Sequence, residues 1–191
     1  MSAVGKARSM LEEYRTLRSE IHSLQKRSTD LLIYTILATG ALLGYGFSVQ
    51  IGFVFLVPFS VVIPLSYQVK NNADMILLLG TYISVKIEKN IHGLQWETFL
   101  CKFREFESKN RKLPRMFECI MIYDLLAMVC LILSFFYWGY PLVSFALIAL
   151  PLIMYFLWWN YEMPSCYSFK KQQRYIQEIE KAAEILNQEK P

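Results

Sequence analysis

The sequence predicts an all-α membrane protein: two transmembrane helical hairpins, four spans in all, joined to cytoplasmic amphipathic helices. Composition is the first observation: 54% of the 191 residues are hydrophobic and only 19% are charged, against about 25% charged in an average soluble chain. The second is the placement of charge. None falls between Asp30 and Lys70 or between Asp124 and Glu162, and these gaps of 39 and 37 residues are each about twice the ~20 needed to cross a bilayer once. The third is the basic residues, which are confined to three segments. Six Lys and Arg precede the first gap, nine lie in the linker 70–115 and five in the tail, the full complement of twenty. An ordinary soluble enzyme, a disordered chain and a nucleic-acid-binding domain are excluded as whole-chain readings. A membrane barrel is excluded too, because apolar and polar residues do not alternate over any sustained stretch.

The N-terminal segment, residues 1–30, reads as a cytoplasmic helix. Met10, Tyr14, Leu17, Ile21 and Leu24 step by four, three, four and three, the spacing of a coiled-coil seam. Tyr14, Leu17, Ile21 and Leu24 are therefore candidates for a partner or self-association seam, or for packing on the chain's own linker. These 30 residues are polar and charged, unlike a cleaved leader with its apolar core, so the first span itself is expected to direct insertion.

Residues 31–69 form the first hairpin. A tight turn is expected at Gly46–Gly52, where glycines and polar residues cluster, giving spans over about 31–48 and 51–69. Gly40, Gly44 and Ser48 lie on one face of the first span and admit close approach by another helix, either a second copy or the other half of the hairpin. Pro58 and Pro64 are expected to kink the second span.

The linker 70–115 carries Ile76, Leu79, Ile83 and Ile87, then Trp96, Phe99, Leu100, Phe103 and Phe106, both at helical spacing. This predicts a helix-turn-helix hinged near Gly93 and seated on the membrane surface. The second hairpin, 116–160, breaks at Tyr137–Pro141, with spans over about 117–137 and 141–160; Pro151 is expected to kink the last. The tail, 161–191, offers Phe169, Ile176, Ile179, Ala183 and Leu186 as one stripe of a final amphipathic helix. With basic residues absent from both hairpin turns, the positive-inside rule places both termini and the linker in the cytoplasm. The aromatics fit two interfaces, with Tyr45, Tyr137, Trp138 and Tyr140 outside and Tyr67, Trp158, Trp159 and Tyr161 inside.

Chemistry is sparse. His22 and His92 are on separate segments, and Cys101, Cys119, Cys130 and Cys166 form neither a CxxC pair nor a metal-ligand spacing. No phosphate-cradling glycine loop or nucleophile elbow occurs, so neither enzymatic activity nor a cofactor or metal is expected. Acidic residues interleaved with the basic ones disfavour direct nucleic-acid binding. Asp124 stands apart. The apolar stretch behind it, Leu125–Tyr137, is 13 residues, about 20 Å of helix, so the span must extend back past the carboxylate. Asp124 is the intramembrane polar candidate, lining a polar interface or pore or pairing with a linker Lys or Arg.

The run Glu13-Tyr14, Leu17-Arg18, Glu20-Ile21, Leu24-Gln25 and Arg27, followed by a membrane hairpin, Tyr82-Ile83 and Gly93-Leu94-Gln95-Trp96-Glu97, resembles a loose group of small bacterial membrane proteins. That group is found beside prophage genes and anti-phage defence systems, including retrons and nucleotide-signalling systems. The resemblance covers residues 13–97 and implies an effector, or toxin, held silent by a cytoplasmic protein or ribonucleoprotein and damaging the inner membrane when triggered. No catalytic residue comes with it. The expected function is thus a non-enzymatic inner-membrane effector acting on the lipid bilayer, with homo-oligomerisation as one route. The alternatives are a membrane anchor for a soluble complex and a small oligomeric channel or transporter.

Overall fold

The structure is a computed structural model that describes residues 3–91, 93–110, 117–139, 142–162 and 169–188. Every regular element among them is helical. Helix α1 runs over Ala3–Val49, a 3₁₀ turn over Gly52–Leu56, α2 over Phe59–Tyr82 and a π-helical segment over Ile83–Glu88. Then come α3 (Trp96–Asn110), α4 (Phe117–Phe136), α5 (Leu142–Glu162) and α6 (Phe169–Gln188). Two helical stretches, Ala7–Val49 and Gly52–Glu88, are long and apolar enough to cross a membrane. Only 17% and 44% of their most apolar windows are buried, whereas the core helix of a soluble protein would be mostly covered.

The chain divides into two compact units. Unit 1 comprises Met1–Lys26, Asn72–Pro114 and Ser165–Pro191; unit 2 comprises Arg27–Asn71 and Arg115–Pro164. Two expected element boundaries disappear. The N-terminal helix and the first span form one helix of 47 residues, and α2 carries the second span onward into the linker. The physical reason is local. Lys26–Asp30 and Lys70–Asp74 contain neither glycine nor proline. A change from polar to apolar side chains alters solvent preference but leaves helical dihedrals undisturbed.

Unit 2 is organised around the first turn. Helix α1 ends at Val49, and Gln50 adopts φ 57°, a left-handed conformation in which glycine would be the ordinary choice. Gly52 then docks on the end of α4. Its N–H donates to the Tyr137 carbonyl (2.9 Å) and its own carbonyl accepts from the Ser134 hydroxyl (2.9 Å). A Cβ at Gly52 would stand 2.7–2.8 Å from the backbone of Ser134, Tyr137 and Trp138, so only glycine fits. Phe55, fully buried, stacks on Tyr137 at 5.2 Å and meets Phe47 edge-on at 5.3 Å. Its ring also lies against Gly46.

The apolar stretch begins at Gly52, close to the expected start of the second span, but α2 itself begins only at Phe59. The 3₁₀ turn occupies its predicted first residues, and Pro58 precedes α2 rather than kinking it; a helix start needs no N–H there. Pro64 and Pro151 do lie within α2 and α5. Near Pro64, the Tyr155 hydroxyl of α5 donates to the Ile63 carbonyl (3.2 Å) and lies 3.1 Å from the Ser66 hydroxyl. Many of unit 2's described large apolar side chains face outward, among them Ile33, Leu37, Phe53, Leu125, Phe136, Leu150 and Met154. Tyr45, Tyr67 and Tyr161 are exposed as well, while Tyr140 and the side chains of Trp158 and Trp159 lie outside the described residues.

Unit 1 has a conventional core. Ile21, Ile76, Ile83 and Ile87 are buried together, with Tyr14, Leu17, Leu24, Leu79, Tyr82 and Ile91 packed around them. The linker turns at Gly93, whose φ of 98° suits glycine, before α3 begins. Helix α6 joins through Lys171, which donates to Asp74 (2.6 Å), and through the buried Gln172, whose Nε2 donates to the Cys101 sulfur.

Candidate functional site

The seam on α1 has a different role from a free association surface. Tyr14, Leu17, Ile21 and Leu24 are covered by Ile76, Ile83 and Ile87 of the same chain. Of the two expectations for this stripe, packing on the chain's own linker is the contact seen here. A periodic apolar stripe specifies that a face will be buried, and a stripe of matching spacing fifty residues downstream is the nearest cover. The small-residue face of α1 behaves in the opposite way. Among the described residues nothing lies within 4 Å of a Cβ placed at Gly40 or Gly44, and Ser48 is exposed, its hydroxyl donating to the Gly44 carbonyl (3.3 Å). Close approach to the other half of the hairpin is thus not made here. It is made at Gly46, against the Phe55 ring, while Gly52 approaches the end of α4. Asp124 is half-buried on α4, next to the fully buried Tyr123. Cys166 lies outside the described residues.

The polar residues converge elsewhere, in unit 1. Arg18, His22 and Gln25 share one face of α1, and Glu13 stands about 140° away round the axis. Glu13 accepts from the Tyr82 hydroxyl (2.8 Å). Arg18 Nη1 donates to Glu97 Oε1 at 2.5 Å, and the Glu97 side chain is only 4% exposed. Gly80 makes room for this carboxylate: a Cβ there would stand 2.8 Å from Glu97 Oε2. Glu88, also buried, emerges from the π-helical turn to cap α3. Its carboxylate accepts from the backbone N–H groups of Glu97 (2.9 Å) and Thr98 (2.8 Å) and from the Thr98 hydroxyl (2.8 Å). A helix N-terminus stabilises such a negative charge.

Beside the Arg18–Glu97 pair opens a cleft of about 300 Å³, lined by Arg18, Ile21, His22, Gln25, Ile76, Trp96, Glu97, Leu100 and Arg104. Burial holds the Glu97 carboxyl above its ordinary range; Arg18 and then Arg104 pull it down, while Glu88 adds to the rise. Arg104 Nη1 is buried and meets no acceptor among the described residues. Cys101, behind the cleft, has its thiol pushed up by burial, which suits a packing role rather than a nucleophilic one. No cluster of His, Cys, Asp and Glu suited to a metal ion occurs among the described residues.

Within unit 1, Glu13 pairs with Tyr82, Arg18 with Glu97 and Ile21 with Ile83, and Gln25 and Trp96 stand on the cleft wall. His22, Gln25 and Arg104 were invisible as site residues in the sequence. A helical wheel places the first two on the Arg18 face, but only the pairing of α1 with α3 brings Arg104 to them. The regular elements among the described residues are all helical, two stretches are long and apolar enough to cross a membrane, and a polar cleft lies within unit 1. No family model, curated protein or solved structure matches the chain.

Proposed function

We propose that this chain is a non-enzymatic, multi-pass protein of the inner membrane whose unit 1 is a cytoplasmic sensor and whose unit 2 perturbs the bilayer when unit 1 is engaged. The observation that carries the reading is the composition of unit 2. Of the twenty Lys and Arg it holds only Arg27, Lys70 and Arg115, each at or beside a point where the chain passes to unit 1. Its outer surface is apolar, as a lipid-solvated body requires. The four spans are the apolar part of α1, the first part of α2, α4 and α5. At 20 and 21 residues, α4 and α5 match a hydrocarbon core of about 30 Å. The distribution of Lys and Arg orients both termini toward the cytoplasm.

The trigger in this reading is a cytoplasmic protein or ribonucleoprotein that unit 1 receives, and the physiological setting is anti-phage defence, in keeping with the resemblance. Permeabilisation needs no catalytic group, because a pore or local defect suffices to dissipate ion gradients. The open face at Gly40, Gly44 and Ser48 supports assembly of several copies. Overexpression should depolarise cells and release a trapped dye from proteoliposomes. Full membrane potential and normal growth with inserted, folded protein would refute the reading.

A further inference from the structure

We propose that the cleft of unit 1 is a binding site for a phosphate group, held by Arg18 and Arg104 beside the Trp96 ring. This goes beyond the membrane-perturbing reading and does not depend on it, since the cleft lies wholly within unit 1. Charge is the first argument. Among the described residues two guanidinium groups and one carboxylate line the cleft, an excess of one positive charge in its lining, while the nearby Glu88 carboxylate is taken up by the start of α3. Hydrogen bonding is the second. Glu97 is already engaged by Arg18 and by the α3 cap through its backbone, and Arg104 Nη1 is buried with no acceptor among the described residues. A buried cationic N–H in that state is costly, and an entering anion removes the cost. Geometry is the third. Guanidinium forks match phosphate oxygens in pairs, and Gln25 and His22, on the same face of α1 as Arg18, add polar wall. A volume near 300 Å³ is at the small end of ligand pockets, fitting a phosphate with a compact organic body or a lipid headgroup.

The test uses the full chain in nanodiscs, titrated with inorganic pyrophosphate by calorimetry, with Trp fluorescence as a second readout. In phosphatidylcholine discs, saturable one-site binding is expected. Arg104→Gln should weaken it about tenfold or more, the worth of a lost charged hydrogen bond. Glu97→Gln, which removes the internal competitor for both arginines, should tighten it, and the exposed Lys181→Gln on α6 should leave it unchanged. Circular dichroism confirms that each variant is folded; should Arg104→Gln fail to fold, Glu97→Gln and Arg104→Lys carry the same test. Discs containing phosphatidic acid separate the two sources. Loss of pyrophosphate binding there assigns the site to a lipid headgroup, and retained binding assigns it to a soluble phosphate. Absence of binding in both kinds of disc, or binding indifferent to Arg104 and Glu97, overturns the proposal.

Discussion

Glu97 links stability to pH with a definite sign. Its carboxyl is raised above the usual range by burial, against the pull of Arg18 and Arg104 and with the push of Glu88. The folded protein therefore keeps this proton at pH values where the unfolded chain has lost it. Stability from this group is complete below the unfolded pKa and falls as pH rises through the folded one. Thermal melts in detergent from about pH 4 to pH 7, a range bracketing ordinary carboxylates, should show that slope in the wild type and a flatter one in Glu97→Gln. Equal slopes would mean Glu97 stays ionised throughout. The glycines give a second residue-scale prediction. Gly52→Ala drives a methyl into the α4 backbone and should cost about 1–3 kcal/mol or more, in the manner of overpacking. Gly40→Ala and Gly44→Ala meet open space and should gain up to about 1 kcal/mol each from helix propensity in the monomer. If those two substitutions instead lower the oligomeric state by crosslinking, the open face is a copy-to-copy interface.

Helices pair in unit 1 through stripes that were each visible in the sequence, at Tyr14–Leu24 and at Ile76–Ile87. Their partnership was one of two open readings. Periodicity reports that a face is apolar and leaves open whether the chain's own linker or another molecule covers it. Breaks were legible where glycine or proline stood at a turn, as at Gly93. They were misplaced where helix continuity depends on the absence of such residues, as at Lys26–Asp30. The left-handed Gln50 between Gly46 and Gly52 was unreadable, since both glycines are used for close approach instead. The paired stripes make an energetic prediction. Ile83 is fully buried, so Ile83→Ala should lose about 2–5 kcal/mol by denaturant titration, whereas alanine at the exposed Phe106 of α3 should change little.

At the scale of the whole chain, the membrane reading predicts accessibility. In a background lacking Cys101, Cys119, Cys130 and Cys166, cysteine at Gln50 should react with an impermeant maleimide added outside intact cells. Cysteine at the exposed Gln173 of α6 should react only after permeabilisation. Labelling of Gln173→Cys from outside would invert the topology and remove the cytoplasmic sensor with it. The cleft itself was the least legible part, because no motif names it. It arises from α1 residues at ordinary helical spacing meeting an arginine eighty residues away.

The wide turn at Ile83–Glu88 holds one residue more than an α-helix needs over the same rise. That surplus is a register reserve. Were it expelled, every later side chain would advance by about 100° around the axis, and Glu88 would swing off the start of α3. Trp96, Glu97 and Arg104 would then lose their anchor together. A single-residue slip in six would dismantle one wall of the cleft while leaving every helix intact.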